Sequence, residues 1–210
     1  MAQTESLDKQ PSPIPARPAA PGSHLADPAP LGLAGFAMTT FFLSAVNAGL
    51  LGGVDGVVAL ALFYGGIAQL LAGMWEFVRG NTFGALAFSS YGAFWLSYWY
   101  LVVHVLGNLP SGTSPNEVNH AVGLYLLCWT IFTTYMLIAS LRVSGAIVAV
   151  FLTLALTYLF LTIGAFGALT NMTKVGGWIG LVCAITAWYT SFAGVTNATY
   201  KRTVLPTYPL

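Results

Sequence analysis

Between Leu31 and Asn197 the chain carries six charged side chains: Asp55, Glu76, Arg79, Glu117, Arg142 and Lys174. All but Glu76 fall in the breaks between long apolar blocks, which run near 31–53, 57–78, 83–107, 120–141, 145–169 and 175–197. Each block reaches or approaches the ~20 residues that an α-helix needs to cross a hydrocarbon core of ~30 Å. The ten-residue alternation of a transmembrane barrel is absent from the pattern. The sequence therefore predicts an all-α integral membrane protein with six transmembrane helices. Composition agrees: 6% of the 210 residues are charged, where a soluble domain has about 25%, and the mean hydropathy is +0.76.

Orientation follows from the basic residues. With the N-terminus in the cytosol, Lys9, Arg17, Arg79, Arg142, Lys201 and Arg202 all lie inside and only Lys174 lies outside, which satisfies the positive-inside rule. Both termini are then cytosolic, and the protein is expected in the plasma or inner membrane. Residues 1–26 are polar and contain five prolines from Pro11 to Pro21, a composition that favours a disordered tail over packed structure. The division expected is a tail at 1–26, a six-helix transport domain at 27–200 and a cytosolic C-terminal tail at 201–210.

Several function classes recede. A net charge of +1 provides no basic field for nucleic acid. Cys128 and Cys183 both sit in apolar blocks, where a free cysteine acts as a small hydrophobe. No metalloprotease, nucleophile-elbow or P-loop motif occurs, and three histidines with two separated cysteines predict neither metal nor haem. No enzyme and no cofactor are expected. His104 and His120 lie at block ends, where an interfacial histidine needs no function.

The polar residues inside the blocks fall at helical spacing. Phe36, Thr40, Ser44 and Asn47 form one stripe, Gln69, Gly73 and Glu76 a second, and Tyr91, Trp95 and Tyr98 with Ser90 and Ser97 beside them a third. Leu154 and Tyr158, and Thr186, Thr190 and Asn197, mark the last two blocks. Any one Ser or Thr is accounted for by hydrogen bonds to its own backbone or to a neighbouring helix. Stripes on most blocks, mixed with aromatics and nearly free of charge, suit a narrow path for a small polar solute. Glu76, the one acid inside a block, balances two readings: an ion pair with Arg79 at i+3 and a place in the path. Glycines at four-residue spacing (Gly52 and Gly56, Gly80 and Gly84, Gly176 and Gly180) allow close helix approach.

Three long stretches, "DPAPLGLAGFAMTT", "FYGGIAQLLAGMWEF" and "GNTFGALAFSSYGAFW", together with "KRTVLP" near the end, resemble the acetate uptake transporter family. The resemblance runs in order from Asp27 to Pro206. It implies six transmembrane helices per subunit, a homohexamer, and in each protomer a path for acetate and, in some members, succinate. It places a hydrophobic constriction at Phe36, Tyr91 and Leu154, all on the stripes above. It marks Asp27, Pro28, Pro30, Leu31 and Gly32 as an entrance motif, and Asn47, Gln69 and Glu76 as path or gate-support positions. Asp27 departs from the family, whose motif usually opens with asparagine.

A small carboxylic acid with a pKa of ~4 to 4.5 is almost wholly anionic at neutral pH. A path without Lys or Arg must meet it with neutral donors, for which Thr40, Asn47, Gln69, Ser90 and Tyr91 are the candidates. Proton-coupled symport and an anion channel both fit. An ammonium or neutral-solute channel and a non-transporting scaffold or sensor are the alternatives. At the entrance, Asp27 is expected as the helix N-cap, turned onto its own helix end, with Pro28 at the first helical position. If Phe36 shares a layer with Tyr91 and Leu154, the first helix should begin near residues 25–27 rather than at Leu31.

Overall fold

The computed structural model describes residues 25–210, so the tail expected at 1–26 lies almost wholly outside the described residues. These residues form six helical rods: α1 (Ala29–Asn47), α2 (Asp55–Arg79), α3 (Thr82–Tyr100), α4 (Pro115–Ser140), α5 (Gly145–Phe166) and α6 (Thr170–Tyr200). All but α3 are long and apolar enough to cross a membrane. Two of the side chains that lower the hydropathy of α3, Tyr91 and Trp95, are buried in the core beside Phe88 and Phe94.

Local chemistry sets the helix ends more sharply than hydropathy does. The first block was expected to run to residue 53, yet α1 stops at Asn47. Gly49 takes a left-handed φ of 81°, and the Leu50 N–H bonds the Ala45 carbonyl at 2.9 Å, a Schellman closure that glycine permits. At its other end α1 begins at Ala29, between the two expected starts. Pro28 (φ −78°, ψ −13°) is itself the N-cap, because its carbonyl accepts the first helical bond, from Gly32 N–H at 3.1 Å. The cap expected at Asp27 and the proline expected at the first helical position are each displaced by one residue.

α2 is not uniform. Its α-helical halves, Asp55–Leu62 and Gln69–Arg79, are joined by a π-helical turn at Phe63–Ala68. The turn lies directly on α1: a Cβ at Gly65 would stand 2.6 Å from Thr39 Oγ1, and one at Gly35 would stand 2.6 Å from the Tyr64 carbonyl oxygen. α3 likewise continues through a π-helical turn at Leu101–Val105 and a 3-10 turn at Leu106–Asn108.

α1 packs on α6 and on α2, while α2 packs on α3, α4 on α5, and α5 on α6. The circuit closes through aromatics, with Phe94 of α3 in edge contact with Trp129 of α4 and Tyr158 of α5 at centroid distances of 5.1 and 5.5 Å. Among the expected glycine pairs, Gly176 and Gly180 lie in α6, and a Cβ at Gly180 would come within 2.2 Å of Ser44 Oγ. Gly52 and Gly80 lie outside the helices. The outward faces are apolar, with Phe63, Trp75, Ile131, Ile138 and Phe192 all more than half exposed.

The stretch 201–210, expected as a cytosolic C-terminal tail, folds back as a strap. Lys201 takes a left-handed φ of 52° and turns the chain back. Asn197 Oδ1 accepts the N–H groups of Val204 and Leu205 at 2.7 and 3.0 Å, and its Nδ2 donates to the Leu205 carbonyl at 2.8 Å. The Tyr189 hydroxyl donates to the Pro206 carbonyl at 2.7 Å. The carbonyls of Thr207 and Tyr208 then accept the Ala146 and Gly145 N–H groups at 3.2 and 2.7 Å. Those two amides belong to the first turn of α5, which has no helical partners for them; the strap supplies the missing acceptors.

Candidate functional site: two cavities and the layer between them

Two cavities lie inside the ring of helices. One, of about 250 Å³, opens where α1, α3 and α5 begin and is lined by residues that include Asp27, Pro30, Gln69, Glu76, Asn81, Ser144 and Thr207. The other, of about 580 Å³, lies toward the opposite ends of the helices and is lined by residues that include Thr40, Ser44, Asn47, Trp95, Tyr98, Tyr125 and Thr157. Phe36 and Leu154 line both, so the cavities meet at those two side chains, and Tyr91 lines the first. Among the described residues, neither lining contains a lysine or an arginine.

Helix geometry explains why the three come together. Phe36 is the eighth residue of α1, Tyr91 the tenth of α3 and Leu154 the tenth of α5. These three rods start at the same end of the bundle, so at ~1.5 Å per residue the three side chains fall in a layer about 3 Å thick. The earlier helix start at 25–27 is unnecessary. Phe36 and Tyr91 are in contact at a centroid distance of 5.8 Å, and all three are 4% exposed or less.

The polar lining has an unusual property. Among the described residues, five buried side-chain atoms lack a hydrogen-bond partner: Thr40 Oγ1, Gln69 Oε1, Glu76 Oε1, Ser89 Oγ and Trp95 Nε1. A buried polar group without a partner costs about 1 to 3 kcal/mol. Four of the five belong to side chains that line a cavity, Gln69 and Glu76 on one side of the layer and Thr40 and Trp95 on the other.

At the smaller cavity the turn from α2 to α3 builds a fixed acidic corner. Gly80 takes φ 75°, and Asn81 caps α3 by accepting the Gly84 N–H at 3.1 Å while donating to Glu76 Oε2 at 3.0 Å. Glu76 is fully buried, and Arg79 stands 4.0 Å from its Oε2. Arg79 forms its close ion pair elsewhere, with Asp27. Asp27 also accepts the Ala29 N–H at 3.1 Å, so it does face its own helix end, though as the residue before the cap. Both readings of Glu76 have their geometry, the ion pair with Arg79 at i+3 and a place in the cavity lining, and Arg79 is shared with Asp27.

Other expected positions separate. Ser90 is half-buried and lines neither cavity, because one residue along α3 from Tyr91 is a rotation of about 100°. The Tyr91 hydroxyl is engaged away from the cavity lining, its oxygen sharing a 2.9 Å hydrogen bond with Thr133 Oγ1. In the entrance motif, Pro30 lines the cavity and its carbonyl accepts the Ser191 hydroxyl at 2.6 Å. Pro28 is buried, Leu31 is 45% exposed, and Gly32 is where a Cβ would strike the Phe88 ring at 2.6 Å. Sequence reasoning missed Asn81, Thr133 and Thr207. Asn81 carried a signal, an asparagine directly before an apolar run; the other two carried none.

Comparison with known proteins identifies the family. A family described as GPR1/FUN34/yaaH matches residues 10–210. The chain is 40% identical over 185 residues to a protein of Escherichia coli K12 named succinate-acetate/proton symporter SatP, a match that covers 88% of this chain and 96% of that one. It is 41% identical over 194 residues to acetate permease A of Emericella nidulans, covering 86% of this chain and 65% of that one. The solved structure of the bacterial acetate channel SatP is similar at a TM-score of 0.80 and 39% identity, across 87% of this chain and 99% of that chain. The chain thus spans nearly all of the bacterial relative and about two thirds of the fungal one.

Proposed function

Because the chain belongs to the GPR1/FUN34/yaaH family, we propose that it is a multi-pass membrane transporter for acetate and other small monocarboxylates, with succinate as a further substrate. The observation that carries this reading is the pair of cavities that meet at Phe36 and Leu154, with no cationic side chain in either lining among the described residues. A fixed Lys or Arg would hold a carboxylate; conduction needs weak, repeated sites. Thr40, Asn47 and Trp95 on one side and Gln69 on the other supply such sites. The apolar layer of Phe36, Leu154 and the Tyr91 ring acts as a dewetting barrier. It accepts a short acid with a methyl group and resists the leak of hydrated ions.

All six rods span the bilayer in this reading, with α3 shielded by its neighbours. The Asp27 end is cytosolic, where Arg79, Arg142, Lys201 and Arg202 cluster. Each protomer carries its own path, and the exposed apolar faces suit lipid and the neighbouring copies of a homohexamer in the plasma or inner membrane. The bacterial symporter and the fungal permease are named for acetate or succinate, while a Saccharomyces cerevisiae relative, 39% identical over 193 residues, is named ammonia transport outward protein 2; ammonium is therefore the second reading.

Purified protein in liposomes tests the reading. Labelled acetate is expected to enter and to be competed by propionate and succinate but not by ammonium. A folded oligomer with no acetate flux would sink the proposal in favour of a scaffold. The same vesicles with and without a pH gradient separate channel from symporter: anion current that ignores the gradient excludes obligatory symport.

A further inference from the structure

Tyr91 is enclosed by rings, with Phe132, Phe36, Trp129 and Phe151 at centroid distances of 5.3, 5.8, 6.0 and 6.1 Å. Such a cage fixes the plane of the ring and does nothing for its hydroxyl. A tyrosine oxygen in an apolar layer must find a partner or take one from the path. Its partner is Thr133 of α4, at 2.9 Å.

Thr133 is fully buried and lines neither cavity. Its neighbours on α4 behave differently: Thr130 and Thr134 donate their hydroxyls to the carbonyls four residues back, at 2.9 and 2.7 Å, the usual destination for threonine in a helix. Thr133 instead shares its hydrogen bond with Tyr91. We propose that Thr133 is the positioning residue of the constriction, drawing the Tyr91 hydroxyl out of the path so that the layer between the cavities presents only carbon. Without Thr133 the hydroxyl is orphaned, and the polar partners within its reach are solutes and water in the path. The layer would then wet, and its resistance to small hydrated anions would fall.

This inference rests on the transport reading above, and the experiment keeps the two apart. Wild-type protein in liposomes is assayed first for acetate uptake, whose absence overturns the transport reading itself. Nitrate leak is then measured relative to acetate uptake. Thr133→Val, which removes the hydroxyl at nearly constant volume, is expected to raise the ratio about fivefold, the equivalent of one hydrogen bond of ~1 kcal/mol. Thr133→Ser keeps the hydroxyl and is expected within about twofold of wild type by the same arithmetic. In a Tyr91→Phe background Thr133→Val should add nothing, because no hydroxyl remains to position. If Thr133→Val does not assemble, Thr133→Ala takes its place in both backgrounds. An unchanged ratio in the valine variant, failure of serine to preserve it, or an equal effect in the Tyr91→Phe background overturns the proposal.

Discussion

Arg79, the last residue of α2, holds Asp27 at the mouth of α1 by an ion pair across 52 residues of sequence. The aspartate thereby gains a counter-charge as well as the N–H of Ala29. Its position beside a path for anions is acceptable because its field is cancelled where it arises.

Arg79→Ala should therefore slow acetate uptake while leaving the fold intact. Both side chains are partly exposed, so the pair adds little stability, but its loss leaves Asp27 and Glu76 without their nearest cation. Uptake into liposomes is expected to fall roughly threefold at low ionic strength, and the deficit should shrink in high salt as the charges are screened. Adding Asp27→Asn should restore most of the rate. A deficit that is independent of salt would refute the electrostatic account.

Phe36→Ala and Leu154→Ala should each widen the layer between the cavities. The ratio of butyrate to acetate uptake is expected to rise severalfold, with a stability loss of about 2 to 3 kcal/mol, at the low end for buried truncations because each side chain already borders a void. If acetate and larger acids keep their relative rates, the constriction lies elsewhere.

Gly177→Ala should damage assembly more than transport selectivity. A Cβ there would stand 2.3 Å from the Ala48 nitrogen and 2.6 Å from the Asn47 carbonyl carbon, both backbone atoms that no rotamer change can move. Overpacking of this kind costs about 1 to 3 kcal/mol or more, which a thermal melt in detergent would show as a lowered Tm. An unaltered Tm would mean that α1 and α6 separate freely.

Asn197→Ala should release the strap. It removes three hydrogen bonds to Val204 and Leu205, leaving Tyr189 and the α5 amides to hold the remainder. Amide exchange at residues 203–208 is expected to quicken by about tenfold or more at ~1 kcal/mol per bond. Exchange in the core of α1 should not change. Equal protection in both proteins would show that the α5 amides alone secure the strap.

The helices were legible because hydropathy is a local quantity. The six blocks fall on the six rods, and the errors at the ends of α1 trace to backbone features, Gly49 and Pro28, that hydropathy ignores. Helical spacing also found the faces: Thr40, Asn47, Gln69 and Glu76 all line a cavity. What it could not supply is the partner of each group. Arg79 stands 4.0 Å from Glu76, three residues away, and closer to Asp27, 52 residues away; the Tyr91 hydroxyl shares a hydrogen bond with Thr133, 42 residues on. Likewise 201–210 is short and carries no helical pattern, and it takes its structure from partners brought near by folding: Asn197, Tyr189 and the unsatisfied amides of α5.

The π-helical turn in α2 is a matter of counting. In an unbroken α-helix Val57 and Glu76, 19 residues apart, would point about 100° away from each other. Yet Val57, Ala61, Gln69, Ala72 and Glu76 are all 1% exposed or less, so a single face persists along the rod. The wide turn at Phe63–Ala68 absorbs one residue more than regular winding would hold and returns Gln69 and Glu76 to the interior. The segment is thus intolerant of length as well as of composition: deletion of one residue from the turn would leave every side chain chemically intact and rotate the polar half of α2 toward lipid.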